Sequence, residues 1–301
     1  MDFGKVKNLH NIQFKLPPTP LFTQTQLQQA QVTNTTIYVG CPVWAHKAWV
    51  GTLYPAYAKE KDFLSYYAQQ FNTIELNSTH YHIPDSATTQ RWKQSVPTHF
   101  RFCPKLPQEI SHRQLLTGET QALTQTFCQA MLELKPVLGM CFLQLPPTFS
   151  PTQFPLLLNF LDTFPADIPL AVEFRHPAWF KAGYFATIAQ VLAEKQIATV
   201  ITDVAGRRDV LHQYLSTSTA FIRFVGNALD PTDYQRIDEW VTCLSTWIHH
   251  GLENLYFFAH EPDNTLSPQL AHYFITQLNQ RCGLQIPLPH LQAVNTQGNL
   301  F

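Results

Sequence analysis

The chain has 301 residues, 45% of them apolar and only 14% Asp, Glu, Lys or Arg, well under the roughly 25% usual for soluble domains. A net charge of -1 argues against a broad basic face for nucleic acid and against a polybasic patch for an anionic membrane. The sequence has no uncharged apolar run of ~18 residues and no basic segment followed by an apolar one, so neither a membrane span nor a signal peptide is expected.

Six cysteines (Cys41, Cys103, Cys128, Cys141, Cys243, Cys282) show no C-x-x-C pair or finger-like spacing, and three fall within predicted strands as small hydrophobes. A reduced, cytoplasmic protein is the expectation.

Residues 1–35 are rich in Gln, Thr and Pro and have no apolar period long enough for a core, so an irregular extension is predicted. A strand at 37–41 leads into an aromatic loop with Trp44, Trp49 and Tyr54, and a helix at 63–71 follows. In the stretch FNTIELNSTHY, residues 71–81, Thr73, Glu75 and Asn77 alternate with Ile74 and Leu76, which puts the polar trio on one face of a strand. A helix at 86–94 with Ser86 as N-cap comes next, then a strand at 100–103 whose inward set is Arg101, Cys103 and, just beyond it, Lys105.

A helix at 119–134 precedes a strand at 139–145 closed by Pro146 and Pro147, and a helix at 152–164 follows. The strand at 170–174 puts Glu173 and Arg175 on one face and Val172 and Phe174 on the other. After a helix at 186–194, a strand at 198–202 carries Asp203 at its tip. Only a short helix fits before the strand at 221–224, where Arg223 sits between apolar neighbours. A helix at 233–249, a strand at 255–259 ending in His260 and Glu261, and a helix at 267–280 capped by Ser267 complete the pattern.

Eight strand signals with helices between most of them predict an α/β fold, a single (β/α)8 TIM barrel of ~250 residues. The boundaries read as an extension over 1–35, a barrel over 36–285 and a tail over 286–301. A doubly wound sheet is the competing architecture, but no G-x-G-x-x-G or P-loop follows any strand.

In a chain this poor in charge, Glu75, Lys105, Glu173, Arg175, Asp203, Arg223 and Glu261 all fall near strand carboxyl ends, where barrel enzymes keep their sites. Glu75 and Glu173 are the acid/base candidates, and Lys105, Arg175 and Arg223 are fixed cations for an anionic group or an oxyanion. His112, just past the third strand, is a proton shuttle or a plain hydrogen-bonding residue. The competing reading is a set of closing ion pairs, for instance Glu173 with Arg223, that only plugs the barrel.

A divalent-metal site could draw on His112, Glu173, His176, Asp203, His260 and Glu261, although no short ligand motif supports one. Trp44, Trp49, Tyr54, Tyr81 and Trp179 serve either to stack on a sugar or base or to pack a lid. The expected ligand is small and anionic or sugar-like. The rival classes are a metal-dependent isomerase-like or endonuclease-like barrel and a non-catalytic module for a ligand or nucleic acid.

Eight ordered blocks then resemble one known family. They are Gly40-Cys41-Pro42-Val43-Trp44, Trp49 with Tyr54-Pro55, residues 71–81, residues 100–105, Ile110-Ser111-His112, residues 143–147, residues 172–176 with Trp179, and residues 221–226. Together they resemble the domain of unknown function 72 family, also called YecE-like, over roughly residues 37–280. The resemblance implies a TIM barrel with a site at Glu75, Asn77, Lys105, His112, Gln144, Glu173, Arg175, His176 and Arg223, and it implies no particular reaction. The chain departs from the family pattern at Cys41-Pro42-Val43, where small polar residues are usual, at His80, where Phe is usual, and at Phe224-Val225, where Leu-His is usual.

Overall fold

A computed structural model describes residues 4, 6, 8–30, 32, 34–181 and 183–292, so residues 293–301 of the expected tail lie outside the described residues. Eight strands run in chain order: β1 Thr36–Gly40, β2 Thr73–Leu76, β3 Arg101–Pro104, β4 Cys141–Gln144, β5 Leu170–Glu173, β6 Ala198–Asp203, β7 Thr219–Val225 and β8 Asn254–His260. The helices that connect them are α2 Phe63–Gln70, α3 Ser86–Gln94, α4 Gln121–Leu132, α5 Phe154–Thr163, α6 Tyr184–Glu194 and α7 Pro231–His249, with α8 Ser267–Cys282 after β8. Between β6 and β7 the chain makes only a 3-10 segment, Ala205–Val210.

Every pairing is parallel. Six strands form one ladder in the order β1-β8-β7-β6-β5-β4, and β2 and β3 pair with each other. The two groups meet through isolated bridges at Phe102–Leu138 and Lys105–Phe142, and through the Glu75 N–H, which donates to the Cys41 carbonyl at 3.3 Å. The result is a TIM-like α/β barrel in which the backbone ladder itself does not close.

Register decides which side chains share the interior. Partners across a parallel ladder face the same way, so Phe142, Ala171 and Ala198 are aligned, as are Val200, Phe221 and Tyr256. With Cys103 and Phe258 these residues form an apolar cluster separate from the larger one under the helices. The intervening residues, among them Leu143, Val172, Ile201, Ile222 and Phe257, face the helical layer. Phe257 stacks on Phe274 of α8 with ring centroids 3.6 Å apart.

Helix ends follow local chemistry. Asp230 caps α7 by accepting from the Thr232 N–H at 2.9 Å, with Pro231 at the first helical position. Gly283 takes the left-handed conformation that ends α8. Two expected caps are displaced by one residue. Asp85, not Ser86, caps α3 through the Thr88 N–H, and the Ser267 hydroxyl accepts instead from the Glu261 N–H at 3.0 Å. In each case the serine is the first helix residue; at α3 the capping bond falls to Asp85, whereas Leu266, at the N-cap of α8, makes no side-chain capping bond.

The N-terminal extension is more ordered than its composition suggests. Leu21–Ala30 is a helix, α1, with Thr23 and Leu27 buried one turn apart. The Thr23 hydroxyl donates to the Gln213 carbonyl at 2.8 Å and accepts from the Leu215 N–H at 2.9 Å. The Leu27 carbonyl lies against Gly251, where a Cβ would come within 2.4 Å of it and φ is +104°, so both space and backbone demand glycine there. The Phe14 ring lies under the guanidiniums of Arg208 and Arg236.

Candidate functional site at the strand ends

Alternation carries the inward positions of each strand upward from the apolar interior into a polar layer. On β2, Glu75 is followed inward by Asn77. On β4, Phe142 gives way to Gln144, and on β5, Ala171 gives way to Glu173 and then Arg175. On β7, Phe221 is followed by Arg223, and on β8, Phe258 by His260. The polar residues among these, Glu75, Asn77, Gln144, Glu173, Arg175, Arg223 and His260, join one hydrogen-bonded network.

Arg223 is its hub. Its Nε and Nη2 donate to Glu75 at 2.9 and 2.8 Å, and its Nη1 donates to Glu173 at 2.8 Å. The ring of Phe142 lies 5.5 Å from its guanidinium carbon. Glu75 also accepts from Asn77 Nδ2 and from His260 Nε2, each at 2.8 Å. Glu173 accepts from Arg175 Nε at 2.5 Å and from Gln144 Nε2 at 2.9 Å. The Gln144 carbonyl oxygen in turn accepts from Lys105 Nζ at 2.9 Å.

Glu75 and Arg223 are fully buried, and Lys105 and Arg175 are each only 5% exposed. Buried charges survive only when compensated, and here two carboxylates face three cationic side chains, Lys105, Arg175 and Arg223.

These contacts sort the titrating groups. Burial alone would raise Glu173, but Arg175 and Arg223 outweigh it and bring it to about 2. Glu75 is likewise held well below the ordinary carboxylate value, by Arg223 and His260 acting against burial. Both carboxylates are therefore fixed negative charges at neutral pH. Cationic and amide donors converge on both carboxylates and favour their charged forms.

Burial and then the charges of Arg223 and Arg175 push Lys105 down to about 7. His112 and His80 are both lowered to about 4 by burial and by Lys105, which leaves two neutral imidazoles with centroids 5.1 Å apart beside the amine. The His112 Nδ1 lies 2.7 Å from the Ser111 hydroxyl.

The remaining expected residues lie elsewhere. Asp203 faces outward from the barrel, where it pairs with Arg236 and Arg208 and accepts from the Trp240 indole at 2.7 Å. The inward position on β6 is Thr202, aligned with Arg223, and its hydroxyl has no hydrogen-bond partner among the described residues. His176 caps a 3-10 turn by accepting from the Ala178 N–H at 3.2 Å. Glu261 accepts from the Ala228 N–H beside Gly226 and is pushed up to about 7 by burial and Asp233.

The proposed metal donors are thus dispersed, and among the described residues no three His, Cys, Asp or Glu side chains could hold an ion together. Trp44 packs edge-on against Trp92 and Phe102, while Trp49, Tyr54 and Trp179 are buried with their polar atoms bonded to backbone carbonyls. Of these rings only Tyr81 is broadly exposed, at 73%. It lines a groove of roughly 360 Å³ with His80, Ile83, Pro107 and Glu109, a volume within the range of small-molecule sites. His80 belongs to both the groove and the surroundings of Lys105.

His80 was not among the expected functional residues of this site, and His260 was expected only as a possible metal ligand. His260 follows Phe258 by two on β8, so alternation alone points it inward. His80 lies in a 3-10 turn, Ser78–His80, where no periodicity exists to reveal it.

A sequence model of the family described as "Protein of unknown function DUF72" matches residues 38–293. The chain belongs to the DUF72 family. It is 32% identical over 287 residues to the UPF0759 protein YecE of Escherichia coli strain K12, covering 88% of this chain and all of that protein. It is 26% identical to the UPF0759 protein YunF of Bacillus subtilis strain 168 over 171 residues, 54% of this chain and 60% of that one.

Among solved structures, a DUF72 family protein from Enterococcus faecalis V583 matches with a TM-score of 0.65 at 19% identity, over 86% of this chain and all of that one. A DUF72 family protein from Thermotoga maritima MSB8 matches with a TM-score of 0.60 at 24% identity, over 83% of this chain and all of that one. These structural matches support the DUF72 fold. Among the described residues no helix is long and apolar enough to cross a membrane.

Proposed function

We propose that this DUF72 protein is an enzyme that performs acid/base chemistry on a small anionic or polyhydroxylated substrate at the carboxyl-end rim of its barrel. The observation that carries this reading is the single network running from His260 through Glu75, Arg223, Glu173 and Gln144 to Lys105. A site of this kind offers preorganised charge, which is the largest catalytic resource of most enzymes. Glu75 and Glu173 fix the field, and Lys105, with neutral His112 and His80 nearby, is the group that changes protonation near pH 7.

Incubation of the protein in deuterium oxide with a panel of sugar phosphates, hydroxy acids and oxo acids tests this directly. Proton NMR is expected to show enzyme-dependent exchange at a carbon-bound hydrogen of at least one compound, and Lys105→Met is expected to abolish it. The complete ion pairing of both carboxylates favours a second reading, a rim that binds without turnover. Binding of a panel compound with unchanged affinity in Glu173→Gln and with no exchange would establish that reading instead.

A further inference from the structure

Lys105 is placed with unusual firmness. Its N–H donates to the Leu76 carbonyl at 3.1 Å, its carbonyl accepts from the Thr79 hydroxyl at 2.8 Å, and it bridges to Phe142 on β4. Its amine contacts the amide oxygen of Gln144, whose nitrogen is committed to Glu173. A neutral amide therefore stands between the amine and the nearest carboxylate of the network. Facing it are Arg175, Arg223, Glu173, Glu75, His80 and His112.

A lysine retained to neutralise a buried carboxylate would bond to it directly. Here the direct partner is uncharged and two guanidiniums bear on the amine, which is how proteins keep a lysine in its nucleophilic form. On β6 the Thr202 hydroxyl is buried, inward by register with Arg223, and unpartnered among the described residues. It is a donor left for a ligand.

We infer that Lys105 Nζ forms an imine with the carbonyl of a small aldehyde or ketone that carries an anionic group. The inference rests on the acid/base reading above for the place of the substrate, and it goes further in naming the reacting atom and the substrate class. The Nζ lone pair attacks the carbonyl carbon, the π pair moves to the oxygen, and that oxygen gains a proton as the nitrogen loses one. The nitrogen lone pair of the carbinolamine then expels the hydroxyl, which takes a second proton and leaves as water. The product is an iminium.

His112 and His80, both lowered to about 4 and so neutral, relay the first proton from nitrogen to oxygen, and the second is drawn through them from solvent. The iminium restores a third positive charge opposite two carboxylates, and the anionic group of the substrate matches it. Once formed, the iminium withdraws electrons from the adjacent carbon, so proton removal there becomes the natural next step.

The test uses the full chain with pyruvate and, separately, glycolaldehyde phosphate, in the presence of cyanoborohydride as hydride donor. Reduction of the iminium is expected to add the mass of the probe less one oxygen atom, and peptide mapping is expected to place the addition on Lys105. Lys105→Arg, with a melting temperature compared with the parent to establish folding, is expected to lose this adduct. Binding of inorganic phosphate by the parent chain is followed separately by calorimetry.

Adducts spread evenly over exposed lysines such as Lys47, or an unchanged adduct in Lys105→Arg, would overturn the inference. Phosphate binding by the parent without any Lys105 adduct from either probe would overturn the imine while leaving the anion-binding rim intact. Neither binding nor adduct would remove both.

Discussion

Arg223 holds Glu75 with two of its nitrogens and Glu173 with the third, so one guanidinium joins β2 to β5 across the barrel from its own place on β7. None of the three side chains is more than 1% exposed. Replacing Arg223 with Met strands two buried carboxylates, which is expected to cost ~3–5 kcal/mol of unfolding free energy in urea titrations. Arg223→Lys is expected to recover only a part, because a single ammonium cannot reproduce the two-pronged contact. The double variant Arg223→Met/Glu75→Gln is expected to lose less than the sum of its single changes.

The two acid-titrating regions of the rim are expected to respond to pH with opposite sign. Glu173 lies at about 2 in the folded protein, below its unfolded value. Its stabilisation is therefore complete above the unfolded pKa of roughly 4.3 and drains away as pH falls toward the folded value. Glu261 lies at about 7, above its unfolded value. Stability from that group is complete below roughly pH 4.3 and declines as pH climbs to about 7. Melting temperatures of Glu261→Gln measured from pH 5 to 8 are expected to lack this decline.

Tyr67 closes the place where β1 and β2 have no regular ladder. Its hydroxyl accepts from the Cys41 N–H at 2.7 Å and donates to the Thr73 carbonyl at 2.9 Å. Tyr67→Phe leaves the buried Cys41 donor without an acceptor, at an expected cost of about 1–3 kcal/mol in chemical denaturation. Gly40→Ala at the same seam would put its Cβ 2.1 Å from the Thr73 carbonyl oxygen. It is expected to be more damaging than Tyr67→Phe, since the obstructing atom is backbone.

Leu27 anchors the N-terminal helix in the main core at 1% exposure. Leu27→Ala is expected to destabilise the protein by ~2–5 kcal/mol. It is also expected to open residues before Thr36 to limited proteolysis, visible as early cleavage on a gel.

Most of the strand order and of the inward residues at the rim was legible because alternation survives wherever a polar residue interrupts an apolar strand. Glu75 between Ile74 and Leu76, and Arg223 between Ile222 and Phe224, have only one consistent inward reading. β6 offers no such punctuation. ATVIT is buried on both faces, so parity had to be counted from a boundary, and Asp203 was assigned to the mouth when Val200 and Thr202 are the inward residues.

The lowered pKa of Glu173 was not readable from the sequence for a different reason. A pKa depends on how many donors converge on a group, and Glu173 gathers its donors from three side chains, one of them on a distant strand. The N-terminal helix escaped because only Thr23 and Leu27 of its ten residues are buried, too few to make an apolar stripe.

β2 and β3, the pair that carries Glu75 and Lys105, join the other six strands by a few bridges and by side chains rather than by a continuous ladder. The tie between the two parts of the wall combines backbone hydrogen bonds, among them Phe102 N–H to the Val137 carbonyl at 2.9 Å and Leu106 N–H to the Phe142 carbonyl at 3.0 Å, with the buried ion pair of Arg223 and Glu75. A ligand that drew Arg223 away from Glu75 would be expected to loosen that seam. Amide exchange at Glu75 and Cys103 would register the arrival of a ligand even where no product is known to assay.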